Sequence, residues 1–173
     1  MKMRGTLPTL LVLVLLTTLA TTQSSSATTQ HGPSAFGQGF FTFFNGIRSE
    51  GWTYSFDVTA NKNGQAHGRA IFDISDNFVL TQVVVRIDCL EVISSAGISD
   101  AIITGTVLQS DDPSYLKRDT VVFGAEDNSG SATIRPDIIS PIFVIPPEFG
   151  DCHEIGQPLT MFPQPPDAIT ITP

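Results

Sequence analysis

Basic residues are scarce in this chain: Lys and Arg number 9 against 17 Asp and Glu, for a formal net charge of −8 over 173 residues. A surface this acidic repels phosphate backbones, and no Lys/Arg cluster offsets it, so nucleic acid is not an expected partner, nor is an anionic membrane surface. Cysteine is limited to Cys89 and Cys152. No C-x-x-C redox spacing exists, and no cysteine stands near the N-terminus to carry a lipid. Histidine is limited to His31, His67 and His153, with no G-x-S-x-G motif to supply a nucleophile for them to activate. Long apolar runs are missing too. The stretch Leu10–Leu16 is followed by Thr17, Thr18, Thr21 and Thr22, well short of the roughly 20 residues that cross a bilayer. The Pro-rich C-terminus has no hydrophobic tail, so no stable membrane anchor of the GPI or transmembrane kind is expected.

What is present at the N-terminus has the order of a secretory signal. Lys2 and Arg4 are followed by the short apolar run and then by small residues up to Ser25-Ser26-Ala27. We read 1–27 as a signal peptide cleaved after Ala27 and place the product outside the cytoplasm, secreted or periplasmic, as a monomer. Removing 27 of 173 residues leaves 146, one ordinary domain, and takes away Lys2 and Arg4, which moves the charge from −8 to −10. Two cysteines in an exported protein predict one disulfide, Cys89 to Cys152. On the chain-entropy argument, closing a loop of that length stabilises the fold by about 4 kcal/mol. Such a bond would tie the Pro-rich tail to the rest.

The segment 28–35 is mostly Ser, Thr, Gln, Gly and Pro with almost nothing to bury, and reads as a flexible leader. A β domain is expected over 36–135. Phe40, Phe41, Phe43 and Phe44 form an aromatic run before Asn45-Gly46, apolar on both faces as in a strand covered on both sides. Trp52, Tyr54, Phe56 and Val58 alternate with Thr53, Ser55, Asp57 and Thr59 at period two. The turn Asn61-Lys62-Asn63-Gly64 joins that strand to Ala66–Ile74 as a hairpin. In Phe78–Val92, Val83, Val85, Ile87 and Cys89 share one face, which puts Cys89 on the apolar side. Ser94-Ser95-Ala96-Gly97 is a turn, and Ala101–Leu108 and Thr120–Ala125 are further strands. Eight of the twelve prolines fall from Pro141 onward, so 136–173 reads as a Pro-rich tail packed on or trailing from the domain, with strand character only at Ile142–Ile145. No capped helical period appears after the signal. The class is all-β, an antiparallel sandwich or small barrel, between which the pattern does not choose.

The strings Gly39-Phe40-Phe41-Thr42-Phe43, Tyr54-Ser55-Phe56-Asp57-Val58, Asn63-Gly64-Gln65-Ala66-His67-Gly68, Asp88-Cys89-Leu90-Glu91-Val92, Ile103-Thr104-Gly105-Thr106 and Glu126-Asp127-Asn128 follow one another here. In that order they resemble a group of small secreted bacterial β proteins of unknown function. The group combines a glycine-rich opening, an F-x-F strand, a D/N-G-x-x-x-G hairpin, a cysteine strand, an I-x-G-x strand and a closing D-N-G. The likeness spans roughly 37–130, and the closing triplet is altered to Asn128-Ser129-Gly130. It implies an exported β domain and assigns no activity.

Candidate chemistry is sparse. His67, on a polar strand face near Arg69, reads as a solvated residue. Asp151-Cys152-His153-Glu154 has metal-ligand residue types, but adjacent residues do not readily aim at one ion, and zinc would need a partner from elsewhere in the chain. The acidic loops Asp111-Asp112 with Asp119, and Glu126-Asp127-Asn128, carry the hard oxygens calcium prefers, though turns favour Asp and Asn for backbone reasons alone. No carboxylate pair stands out for glycoside hydrolysis. Trp52, Tyr54 and Phe56 could form a ligand-stacking surface, with burial in the core as the competing and favoured reading. The expectation is thus a non-enzymatic binding or structural module with no cofactor and no metal. A barrel carrying a small apolar ligand is the second reading, and a secreted hydrolase using His67 or His153 the third.

Overall fold

A computed structural model describes residues 32–44, 46–61, 65–76, 79–131, 135–156 and 161–173. The expected signal peptide and the leader up to His31 lie outside the described residues, as do Asn45, Lys62–Gly64, Asn77 and Phe78.

Six long strands follow one another: β1 (Ser34–Phe44), β2 (Ser49–Ala60), β3 (Gln65–Asp76), β4 (Val79–Ser95), β5 (Ile98–Ser110) and β6 (Thr120–Asp127). Four short ones complete the set: β7 (Asp137–Ile139), β8 (Phe143–Ile145), β9 (Phe162–Gln164) and β10 (Ile169–Thr172). Every pairing is antiparallel, in the order β10-β1-β2-β3-β4-β5-β6-β7-β9, with β8 beside β6. The sheet curls into a half-barrel, and no α-helix occurs among the described residues. The all-β antiparallel class read from the sequence is therefore the class observed.

Alternation builds the interior. On β2, Trp52, Tyr54, Phe56, Val58 and Ala60 turn inward while Thr53, Ser55 and Asp57 face out. Phe72 on β3 and Phe123 on β6 meet them: Trp52 and Phe72 have ring centroids 6.2 Å apart, Phe72 and Phe123 5.3 Å, and Phe56 and Phe123 5.5 Å. Burying one such side chain stabilises by about 1.5–3 kcal/mol, and edge-to-face pairs add about 0.5–1.5 kcal/mol each. The two-residue connection Ala96-Gly97 has φ of 52° and 80°, the left-handed pair that a tight hairpin with right-handed strand twist requires.

Three readings change. β1 is not covered on both faces: Phe41 is buried, but Phe36, Phe40 and Phe44 are 48, 59 and 63% exposed, because one curled layer leaves an outer face to solvent. Cys89 leaves the inner face. A register shift between Ile87 and Cys89 inserts Asp88 as an extra residue, which flips the alternation, so Leu90 turns inward and Cys89 outward. There Cys89 joins Ile102, Val122, Cys152, Phe143 and Ile145 in a second, smaller apolar cluster. Opposite the bulge, Gly105 is required: a Cβ would strike the Arg86 carbonyl oxygen. Finally, strand structure after Pro136 is not confined to Ile142–Ile145, since β7, β9 and β10 also form there.

The two ends of the sheet face one another across a seam that side chains close. Asp137 Oδ2 accepts the Ile169 N–H and Asp127 Oδ2 accepts the Ile171 N–H, both at 3.0 Å, so β10 is tied to β7 and β6 by carboxylates. Gln38 N–H donates to the Ala168 carbonyl at 3.1 Å. Phe41 of β1 stacks on Phe162 of β9 at 4.9 Å, and the Tyr54 hydroxyl donates to Gln164 Oε1 at 3.1 Å. Burial, and then the charge of Asp137, push the Tyr54 hydroxyl well above its usual pKa.

Candidate functional site

One open end of the half-barrel holds a cavity of ≈ 420 Å³ between the β1–β2 and β3–β4 connections and the loop after β5. Its walls are apolar where β1, β2 and β3 supply them, through Phe43, Trp52 and Ile74, with Tyr115 reaching across from the loop. Its rim is charged. Arg48 Nη2 lies 2.7 Å from Asp76 Oδ2 and Arg48 Nε lies 3.8 Å from Glu50 Oε1, joining the two hairpin ends. The Trp52 indole N–H donates to Glu50 Oε2 at 3.2 Å. Across the mouth, Asp112 accepts the Thr81 hydroxyl at 3.4 Å and the Ser114 N–H at 2.8 Å. Asp76 Oδ1 is buried with no hydrogen-bond partner among the described residues.

Three carboxylates, Glu50, Asp76 and Asp112, thus line a space that contains one cation, Arg48. The field is felt at Tyr115: burial raises its hydroxyl pKa most, and the charges of Asp112 and Glu50 raise it further. The hydroxyl stays neutral and donates to the Ile142 carbonyl at 3.2 Å. Among the described residues, neither histidine nor cysteine lines the cavity.

The residues singled out from the sequence are distributed elsewhere. Trp52, Tyr54 and Phe56 are each 2% exposed and form core rather than a stacking surface. Among the exposed aromatics, Phe36 and Phe40 instead stand beside shallow grooves on the outer face of β1–β3. His67 is exposed and 3.2 Å from the Thr59 hydroxyl. Cys89 and Cys152 form the disulfide. His153 stands beside it with Nδ1 3.6 Å from Glu91 Oε1. In the two acidic loops the carboxylates serve the backbone: Asp119 accepts the Leu116 N–H at 2.7 Å and Asp127 Oδ1 the Ser129 N–H at 2.9 Å. Sequence reading did not assemble Arg48, Glu50, Asp76, Asp112 and Tyr115. The only trace was that most of them flank turn signals at strand ends, which the curl gathers at one end.

No family model, curated protein or solved structure matches the chain. No helix among the described residues is long and apolar enough to cross a membrane, which leaves strand-based crossing unaddressed.

Proposed function

We propose that this chain is an exported, non-enzymatic binding module that takes a small, partly apolar organic cation in the cavity at the open end of its half-barrel. The observation that carries this reading is the excess of carboxylates over cations in a cavity with aromatic walls. An ammonium group would be stabilised by Asp112 and Asp76, and by the ring faces of Phe43 and Tyr115, while its alkyl part covers Ile74. The deep interior is occupied by Trp52, Tyr54, Phe72 and Phe123, which favours a ligand held at the end over one enclosed as in a carrier barrel. Within the all-β class, a single continuous curled sheet suits a barrel better than a two-sheet sandwich. Export rests on the signal-like N-terminus, and the disulfide is compatible with an oxidising compartment. We take the released protein to be monomeric.

The test is calorimetric titration of the full chain with an alkyltrimethylammonium salt, the alkyl carboxylate of equal length and the alcohol. The ammonium should bind saturably, and Asp112→Asn should weaken it about tenfold, the equivalent of one charge-assisted contact of about 1.4 kcal/mol. Equal or tighter binding of the carboxylate, or no binding of the ammonium, overturns the reading.

A further inference from the structure

The bulge at Asp88 turns Cys89 to the outer face, where the short turn Cys152–Glu154 packs over β4 and β5. The sequence raised two objections to a metal at Asp151-Cys152-His153: adjacent residues do not readily aim at one ion, and a distant partner is needed. The fold supplies the partner, and the short turn at Cys152–Glu154 brings the adjacent side chains together. Sγ of Cys89, a carboxylate oxygen of Asp151, Sγ of Cys152 and a ring nitrogen of His153 lie within 4.8 Å of one another. The two sulfurs are joined in the disulfide, and once reduced they need only move apart to share one ion, since a tetrahedral zinc shell has zinc–sulfur bonds of about 2.3 Å and zinc–nitrogen bonds of about 2.0–2.1 Å. Two thiolates, an imidazole and a carboxylate are all zinc ligands. Two neighbouring contacts favour the set. Glu91 Oε1 stands 3.6 Å from His153 Nδ1, just beyond hydrogen-bond distance, and a small shift would let it accept the Nδ1–H of an imidazole that gives Nε2 to the metal. The Cys152 N–H donates to Cys89 Sγ at 3.1 Å, a contact that would stabilise negative charge on that sulfur once the bond is reduced.

We propose that this cluster is a redox-gated zinc site, closed as a disulfide when oxidised and open to one Zn²⁺ when reduced. A small dithiol reductant gives two electrons and two protons to the Cys89–Cys152 bond, leaving as its own cyclic disulfide and producing two thiols. Zn²⁺ then displaces the two thiol protons and binds both thiolates, His153 and Asp151. Glu91 is a positioning residue that holds the His153 ring. The site is separate from the end cavity, and its occupancy is independent of what that cavity binds.

Cobalt serves as the probe, because thiolate ligation gives it a charge-transfer absorption and four-coordination gives intense d–d bands. The full chain, reduced by a phosphine and kept anaerobic, should bind one equivalent of Co²⁺, and the oxidised chain none. His153→Ala, at a side chain 51% exposed, should weaken binding by more than tenfold, and Glu91→Gln by about tenfold. Absence of the thiolate–cobalt band from the reduced chain overturns the proposal, as does an unchanged affinity in His153→Ala. Should reduction alone unfold the chain, the same reduction is run with Zn²⁺ present. Retention of the near-ultraviolet signal of buried Trp52 then supports the site, and its loss with and without zinc overturns it.

Discussion

Replacing Asp137 with alanine should open the seam of the half-barrel. The side chain is 1% exposed, and both of its oxygens are used: Oδ1 accepts the Asn128 N–H and Oδ2 the Ile169 N–H, each at 3.0 Å. Hydrogen bonds to a charged acceptor contribute about 1.5–3 kcal/mol each, so two give about 3–6 kcal/mol. Truncation also relieves the cost of holding an anion away from water, which offsets part of that sum and leaves an expected loss of about 3 kcal/mol. Set against a domain stability of about 5–15 kcal/mol, the change is large and easily measured. Urea unfolding should show a lower midpoint with an unchanged slope. Asp137→Asn should lose roughly half as much, since an amide keeps one acceptor and turns a donor toward the other N–H. The local signature is more diagnostic than the total. In Asp137→Ala the Ile169 amide should lose hydrogen-exchange protection well before amides of β2 and β3. A loss below about 1 kcal/mol, or an Ile169 amide as protected as in the parent, would refute the idea that carboxylates hold β10 in place.

Two further outcomes follow from neighbouring groups. Burial raises the proton affinity of Asp127, but hydrogen bonds from Ser129 and from the Ile171 N–H outweigh it and hold its carboxyl below the ordinary 3.8. A carboxylate depressed in the folded state stabilises fully above its unfolded pKa of about 3.9, and that contribution disappears as pH falls through the folded value. Acid titration should therefore lower the protection factor of the Ile171 amide only below that range, and Asp127→Asn should remove this pH-dependent component; a protection factor already lost between about pH 7 and pH 5 refutes it. Reducing Cys89–Cys152 with a chelator present should lower stability by about 4 kcal/mol, the loop-entropy value for a sequence separation of 63 residues, read as a shift in the urea midpoint. A shift near zero would mean that the turn at Cys152–Glu154 is held by its packing alone.

Much of the fold was legible because β2 and β3 obey strict alternation and the strands are separated by turns of recognisable chemistry, whereas β6 is buried on both faces. The errors lie where one residue changes the phase. Nothing in Ile87-Asp88-Cys89-Leu90 marks Asp88 as an insertion, since its role depends on Gly105 permitting close approach to the Arg86 carbonyl from the next strand. The aromatic run of β1 misled in another way: hydrophobicity on both faces predicts cover on both faces, yet Phe36, Phe40 and Phe44 stay exposed in a single curled layer. The disulfide was legible from the cysteine count and the compartment expected from the N-terminus. The end cavity was not, because Arg48 comes from the β1–β2 connection, Asp76 from the end of β3 and Asp112 from the loop after β5, and they meet only once the sheet has curled.

The proline-rich segment after Pro136, read as a tail, has a physical reason to supply the sheet's ends. A half-barrel has two free edges, each a template for unwanted pairing with another chain. On the β10 side, the outward N–H groups at Ile169 and Ile171 are occupied by Asp137 and Asp127. The β9 side is blunted differently: the strand is three residues long, and its central Pro163, opposite Ile138, has no N–H to offer a further strand. Proline also limits how far these strands extend, with Pro136 just before β7 and Pro141 between β7 and β8. The composition that made the segment look unsuited to a sheet thus fits the one position where a strand is needed and continuation is harmful. It follows that Pro163 matters less for the stability of the folded chain than for keeping it from pairing with copies of itself, a role that stability measurements alone would miss.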